Sequence, residues 1–194
     1  MVKKELRLVI VLTIICVVAG GILAWVNSVT EPRIQAQAEL AKKKALQESL
    51  PAASEFRSEQ LLLEQVHQAG NTNLSELFIG YHETEKRGLV FIADVRGYSS
   101  TIRLVIGVSA DGQLAGVKVI SQAETPGLGV KITERDFLEQ PALQRVSSAD
   151  QLAVVKDGGN VQAVTGATIS SRAVVRGVNQ ALAAAHLLLE AKEQ

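Results

Sequence analysis

The apolar positions fall into three regimes along the chain. From Leu8 to Val26 the sequence LVIVLTIICVVAGGILAWV runs nineteen residues without a charge. At about 1.5 Å rise per residue that is a helix of roughly 28 Å, close to the hydrocarbon thickness of a bilayer. Pro32 then marks the exit from the membrane, and Ile34–Leu50 (IQAQAELAKKKALQESL) is composed of strong helix formers that predict a stalk helix. Residues 57–68 predict a second, short helix, and Gly70-Asn71-Thr72-Asn73 a loop.

The centre changes to a β pattern. Leu89–Arg96, Thr101–Ser109 and Leu114–Ile120 are rich in Val and Ile, and the last two are joined by Ala110-Asp111-Gly112-Gln113, a hairpin connection. Asp157-Gly158-Gly159-Asn160 predicts a turn into a short strand at Val161–Val164. From Ser171 to about Glu190 the pattern is helical, with Ser170 or Ser171 as its cap. The expectation is an α+β fold: one N-terminal transmembrane helix, then a single domain with a mainly antiparallel sheet and flanking helices.

Charge sharpens the membrane reading. Lys3, Lys4 and Arg7 against Glu5 make the first seven residues basic, and the rest carries 17 basic and 19 acidic side chains. Basic residues before the span and Trp25 near its far end predict a cytoplasmic N-terminus and an extracytoplasmic domain. A cleavable signal peptide shares the basic start, but Ile22-Leu23-Ala24 is a poor cleavage site. A lipoprotein needs small residues before its cysteine, whereas Ile14 and Ile15 precede Cys16, which reads as apolar filler. The expected organisation is therefore a cytoplasmic segment (1–7), a span (8–26), a stalk and linker (27–56) and a domain (57–194).

Composition excludes several functions. Lys plus Arg and Asp plus Glu number 20 each, and aromatics are 4%, which argues against nucleic-acid binding by bulk charge or base stacking. A single cysteine excludes an internal disulfide and an all-Cys iron–sulfur cluster within the chain. There is no His-x-x-x-His, Gly-x-Ser-x-Gly or Walker-type loop, and His67, His82 and His186 fall in separate elements.

Two segments carry chemistry. Thr165-Gly166-Ala167-Thr168-Ile169-Ser170-Ser171 joins a strand to a long helix. Gly166 and Ala167 remove bulk beside the backbone, and a helix start offers free N–H groups and a positive dipole end to an anion. Arg172 stands in the first turn, within reach of a phosphate. Glu124-Thr125-Pro126-Gly127-Leu128-Gly129 has Pro and Gly at the central positions of a type II turn. Read without further context, the first segment is equally a hydroxyl-rich helix cap on a cofactor-free scaffold domain.

Together these segments resemble the two signatures of the FMN-binding domain family: the Ser/Thr-Gly-Ala-Thr flavinylation motif and a loop that lies against the flavin. The resemblance implies FMN joined by a phosphoester to Thr168, with Thr165, Gly166, Ala167 and Arg172 around the attachment point. It also implies Glu124, Thr125, Gly127, Leu128 and Lys131 as the flavin's surroundings, Lys131 against the phosphate or the reduced ring. The whole layout is similar to the G subunits of the Rnf ion-translocating electron-transport complexes. The homologous C subunits of Na+-translocating NADH:quinone reductases share both motifs and are usually longer. Related motifs often have an acidic residue where Gln162 stands here. The implied role is a membrane-anchored electron relay in a ferredoxin:NAD oxidoreductase complex. The implied partners are other membrane and iron–sulfur subunits, a flavin transferase during maturation and membrane lipid, with no nucleic acid.

Overall fold

The computed structural model describes residues 2–144, 146–147 and 152–190, with side chains from Leu6 onward. The side chains of Lys3 and Lys4 and the last four residues of the expected domain lie outside the described residues. The chain forms two compact units, residues 1–41 and 42–194.

The first unit is helical and belongs to α1 (Val2–Ser49). Its apolar stretch is long and apolar enough to cross a membrane, and side chains such as Leu8, Ile15, Leu23 and Trp25 are exposed. The hydroxyls within it are satisfied locally: Thr13 donates to the Val9 carbonyl and Thr30 to that of Val26, both at 2.9 Å. Such back-bonding lets a polar side chain sit in an apolar segment without an unpaired donor. Pro32 lies inside α1.

The second unit holds the sheet. It comprises β1 (Glu55–Ser58), β2 (Leu74–His82), β3 (Glu85–Arg96), β4 (Thr101–Ser109) and β5 (Leu114–Ser121), all antiparallel and in the order β1-β2-β3-β4-β5. Around it lie α2 (Gln60–Gln68), a 3₁₀ turn at Gly129–Thr133, the single-turn α3 (Arg135–Leu138), a further 3₁₀ turn at Val155–Asp157 and α4 (Thr168–Glu190). β1 and β2 stand where the apolar pattern predicted no strand.

Both sheet faces are covered, which explains the unbroken apolar run of β3. Side chains alternate across a strand. Leu89, Phe91, Ala93 and Val95 therefore pack with Ala173, Val174, Val178, Ala181 and Leu182 of α4 and Val66 of α2. Val90 and Ile92 pack on the opposite face with Ala45, Leu46, Leu50 and Ala53. Residues 42–53 are thus part of this unit's core, which departs from the expected stalk over 27–56. The approach is close because three glycines permit it: a Cβ on Gly107 would lie 2.1 Å from the Ser49 carbonyl oxygen, one on Gly116 3.0 Å from the same atom, and one on Gly80 2.6 Å from Leu50. Lys42 to Glu76 (2.6 Å) and Lys118 to Glu48 (3.2 Å) add ion pairs at the edges of this contact.

Two local expectations are corrected. The strand predicted at Val161–Val164 is reduced to a single parallel bridge, Val154 with Val161. Side chains have taken the backbone groups a ladder would use. Gln140 Oε1 accepts from the Gln162 N–H (2.7 Å), and Ser171 Oγ accepts from the Val164 N–H (3.0 Å). The final helix starts at Thr168, so neither Ser170 nor Ser171 is its cap. Ala167 holds that place, its carbonyl receiving the Ser171 N–H at 3.0 Å.

Candidate functional site

Two turns face each other at one end of the second unit. In the first, the Leu128 N–H donates to the Thr125 carbonyl at 3.2 Å with Gly127 at φ +73°, the positive φ that a type II turn requires at its third residue. In the second, the Ala167 N–H donates to the Val164 carbonyl at 2.9 Å with Gly166 at φ +78°. Leu128 lies over Gly166: a Cβ there would sit 3.0 Å from Leu128 Cδ2. The two sequence segments, some forty residues apart, are therefore in contact.

Glu124 fixes this arrangement from beneath. Its carboxylate is buried and accepts from the backbone N–H groups of Tyr98 (3.1 Å), Ser99 (3.1 Å) and Ser100 (2.9 Å), and from the hydroxyls of Ser100 (3.0 Å) and Ser170 (2.6 Å). Burial alone would raise its pKa, and it is the largest single influence. The hydrogen bonds from Ser170, Ser100 and Tyr98 together outweigh it and hold the carboxyl at about 2, below its ordinary 4.5. Gly97 and Gly129 leave room for the buried group, since a Cβ on either would come within 2.6–2.7 Å of Glu124. Expected as part of the flavin's surroundings, Glu124 is instead turned inward, tying the start of α4 to the β3–β4 turn.

Between the turns lies a cleft of about 480 Å³, lined by Tyr98, Thr125, Leu128, Gly129, Lys156, Gly166, Ala167, Thr168, Ile169 and Ser170. This is within the range of small-molecule and cofactor pockets. Its rim is apolar and open to solvent: Tyr98, Leu128 and Ile169 are 64%, 45% and 47% exposed. At its floor, the N–H groups of Thr168, Ile169 and Ser170 precede the first intrahelical donor and are the orphan donors of α4. Such an arrangement suits a flat, largely apolar ring at the rim and an anion at the helix start.

The expected site residues divide on this map. Thr125, Leu128, Gly166, Ala167 and Thr168 line the cleft, and Gly127 shapes its lip. Lys131 and Thr165 line a different, shallower hollow with Glu134, Asp136 and Gln162. Arg172 is bound to Asp157 through two of its three guanidinium nitrogens, Nε to Oδ2 at 2.7 Å and Nη2 to Oδ1 at 2.6 Å. That bidentate bond holds the Asp157 carboxyl below its ordinary range and raises Arg172. The residue that sequence reasoning missed is Lys156, whose Nζ donates to Thr168 Oγ1 at 3.4 Å. Its place next to Asp157-Gly158-Gly159 was the available signal, because that turn folds back on the helix start.

Residues 97–183 match the FMN-binding domain, and residues 1–48 match the RnfG N-terminal region. The G subunit of the Na(+)-translocating ferredoxin:NAD(+) oxidoreductase complex of Acetobacterium woodii is 32% identical over 191 residues, covering 93% of this chain and 91% of that protein. The G subunit of the ion-translocating oxidoreductase complex of Yersinia pestis is 36% identical over 188 residues, covering 93% and 90%. That of Escherichia coli K12 is 34% identical over 170 residues, covering 83% and 81%. The C subunit of the Na(+)-translocating NADH-quinone reductase of Parabacteroides distasonis has the same fold, with a TM-score of 0.58 at 19% identity over 80% of this chain and 95% of that one. With an FMN-binding domain match over residues 97–183 behind an N-terminal helix long and apolar enough to cross a membrane, the chain belongs to the family of G subunits of ion-translocating oxidoreductase (Rnf) complexes.

Proposed function

We propose that this chain is the flavin-carrying relay of an ion-translocating ferredoxin:NAD oxidoreductase complex, with FMN linked through a phosphoester to Thr168. The observation that carries this reading is the position of the Thr168 hydroxyl: at the first residue of α4, on the wall of the cleft, where both signature turns converge. The residues present fit FMN. Leu128, Ile169 and Tyr98 offer an apolar rim to a ring, while Lys156 and the first-turn N–H groups supply positive charge beside the phosphate's point of attachment. When bound, the isoalloxazine supplies one- and two-electron transfer.

The chain's own contribution is placement. Glu124 locks the helix start, Gly166 lets Leu128 close over the turn, and a covalent link keeps the cofactor from being lost on an open surface. Because the chain has one cysteine, in its apolar segment, the redox centres on either side belong to other subunits. Those partners are membrane and iron–sulfur subunits of the same complex, and a flavin transferase attaches the FMN. Residues 1–7 lie in the cytoplasm, residues 8–26 cross the membrane, and the second unit is extracytoplasmic, as Arg7 and its basic neighbours before the span direct.

The test is peptide mass spectrometry of the full chain co-expressed with a flavin transferase. The added FMN is expected on the peptide containing Thr168, and Thr168→Val is expected to abolish flavin fluorescence on a denaturing gel. Flavin on Ser170 or Ser171, or Thr168→Val still labelled, overturns the assignment. A cofactor-free scaffold would remain colourless throughout. For topology, an alkaline phosphatase fused after Glu190 is expected to be active in intact cells, and an inactive fusion reverses the orientation.

A further inference from the structure

The cleft around Thr168 has an uneven charge. Among the described residues lining it, Lys156 is the one formal cation and there is no carboxylate exposed to the cavity. Arg172, which the helix position alone brings to mind as the phosphate ligand, is taken up by Asp157 through two short hydrogen bonds. Among the described residues Lys156 has no carboxylate partner, although it adjoins Asp157 in sequence, and its Nζ comes to Thr168 Oγ1.

The backbone explains why the lysine stands there. The turn carrying it is pinned at four points: Val155 N–H to the Val161 carbonyl (2.9 Å), Asp157 N–H to Val154 (2.8 Å), Gly158 N–H to Val155 (3.1 Å) and Gly159 N–H to Val154 (3.2 Å). Gly158 has φ +84°, and a Cβ on Gly159 would collide with the Ala153 carbonyl at 2.1 Å. The Asp157–Arg172 pair then ties this rigid turn to the first two turns of α4. Consecutive residues of the turn therefore do different work: Asp157 fastens it to the helix, and Lys156 faces the cleft.

We propose that Lys156 is the phosphate-binding residue of this site, neutralising the charge of the phosphate carried on Thr168, and that the Asp157–Arg172 pair holds it in place. This rests on the reading of Thr168 as the attachment point. A phosphate joined to both a flavin and a threonine retains one negative charge. One ammonium plus the partial positive charge of the α4 start matches that monoanion. Arg172 without Asp157 would add a second full charge. The ion pair removes it.

The test uses the full chain in detergent, co-expressed with a flavin transferase, as wild type, Lys156→Gln and Lys156→Arg. Two quantities are read: the covalently flavinylated fraction, by intact-protein mass spectrometry, and the phosphorus-31 resonance of the phosphodiester in whatever loaded protein forms. Thermal melting of the unloaded proteins, made without transferase, shows that each variant folds. Lys156→Gln is expected to lower the loaded fraction several-fold and to displace the phosphorus resonance, while Lys156→Arg retains most of the loading. Full loading of Lys156→Gln with a displaced resonance also supports the assignment, since the lysine then touches the phosphate without governing its attachment. An unshifted resonance at any level of loading overturns it, because the lysine then acts on the transferase and not on the phosphate. Loss of loading in both variants, each still folded, overturns it as well, since a guanidinium serves a phosphate at least as well as an ammonium. If wild-type flavin is found on a residue other than Thr168, the reading of the attachment point fails instead, and the two failures are told apart by the same mass spectra.

Discussion

Ser170 Oγ, in the first turn of α4, donates to Glu124 Oε2 at 2.6 Å across 46 residues of sequence. One hydroxyl thereby joins the two signature segments beneath the cleft. The same carboxylate also accepts from three backbone N–H groups, that of Tyr98 at Oε2 and those of Ser99 and Ser100 at Oε1, and from the Ser100 hydroxyl. A buried carboxylate is stable in such surroundings because every lone pair is used.

Glu124→Gln tests this directly. The amide keeps the shape but points an NH₂ at donors, leaving buried groups unpaired. The expected loss is about 2–4 kcal/mol of folding stability. A melting temperature of the full chain in detergent within a degree of the wild type would contradict the network.

The same carboxyl makes stability depend on pH in a definite direction. Its folded-state pKa, about 2, lies below the ordinary 4.5. A depressed acid contributes stability that is fully present above pH 4.5 and is lost as the pH falls toward 2. At about 1.4 kcal/mol per unit, the contribution is up to about 3.5 kcal/mol. Urea midpoints are therefore expected to fall across that window in the wild type, with a markedly flatter slope in Glu124→Gln. Equal slopes would place the acid sensitivity elsewhere.

Glycines at the sheet's two faces separate by what a methyl group would meet. Gly107→Ala puts Cβ 2.1 Å from the Ser49 carbonyl oxygen, which is backbone and cannot step aside. Forcing the end of α1 off the sheet is expected to cost about 3 kcal/mol. Gly177→Ala, within α4, meets the flexible end of Leu104 at 2.7 Å. There the roughly 1 kcal/mol gain in helix propensity offsets the repacking. Thermal melts should rank Gly107→Ala far below Gly177→Ala, and the reverse order would refute this packing.

What could be read from the sequence depended on whether a segment's signal was local. The β3–β4–β5 meander and α4 carry their own periodicity and stand close to where the pattern put them, β3 starting four residues early and α4 three, while the apolar run is helical but continuous with the helix after Pro32. β2 was not legible because LSELFIGYH mixes buried and exposed positions on a strand whose two faces meet different partners, α4 and residues 42–53. The contact between the two signature turns follows from folding, not from spacing. Arg172 and Lys156 illustrate the limit most sharply. Helix position argued for the arginine, whereas the Asp157 carboxylate, brought beside it by the 3₁₀ turn, neutralises it and leaves the lysine at Thr168.

The two turn glycines give the last prediction. Gly127 and Gly166 both have positive φ, near +73° and +78°, so alanine at either is strained by about 1–2 kcal/mol. Their surroundings differ. Nothing lies within 4 Å of a Cβ on Gly127, whereas one on Gly166 meets Leu128 Cδ2 at 3.0 Å. Gly127→Ala meets no neighbour and acts through the strain of its turn, so it should lower covalent loading less than Gly166→Ala at equal folded fraction. Gly166→Ala pushes Leu128 away from the turn that presents Thr168, so it should lower loading at equal folded fraction. Quantifying flavin per folded protein, with melting curves to set the folded fraction, separates the two. Equal loading of both variants would show that the Leu128–Gly166 contact plays no part in presenting the threonine.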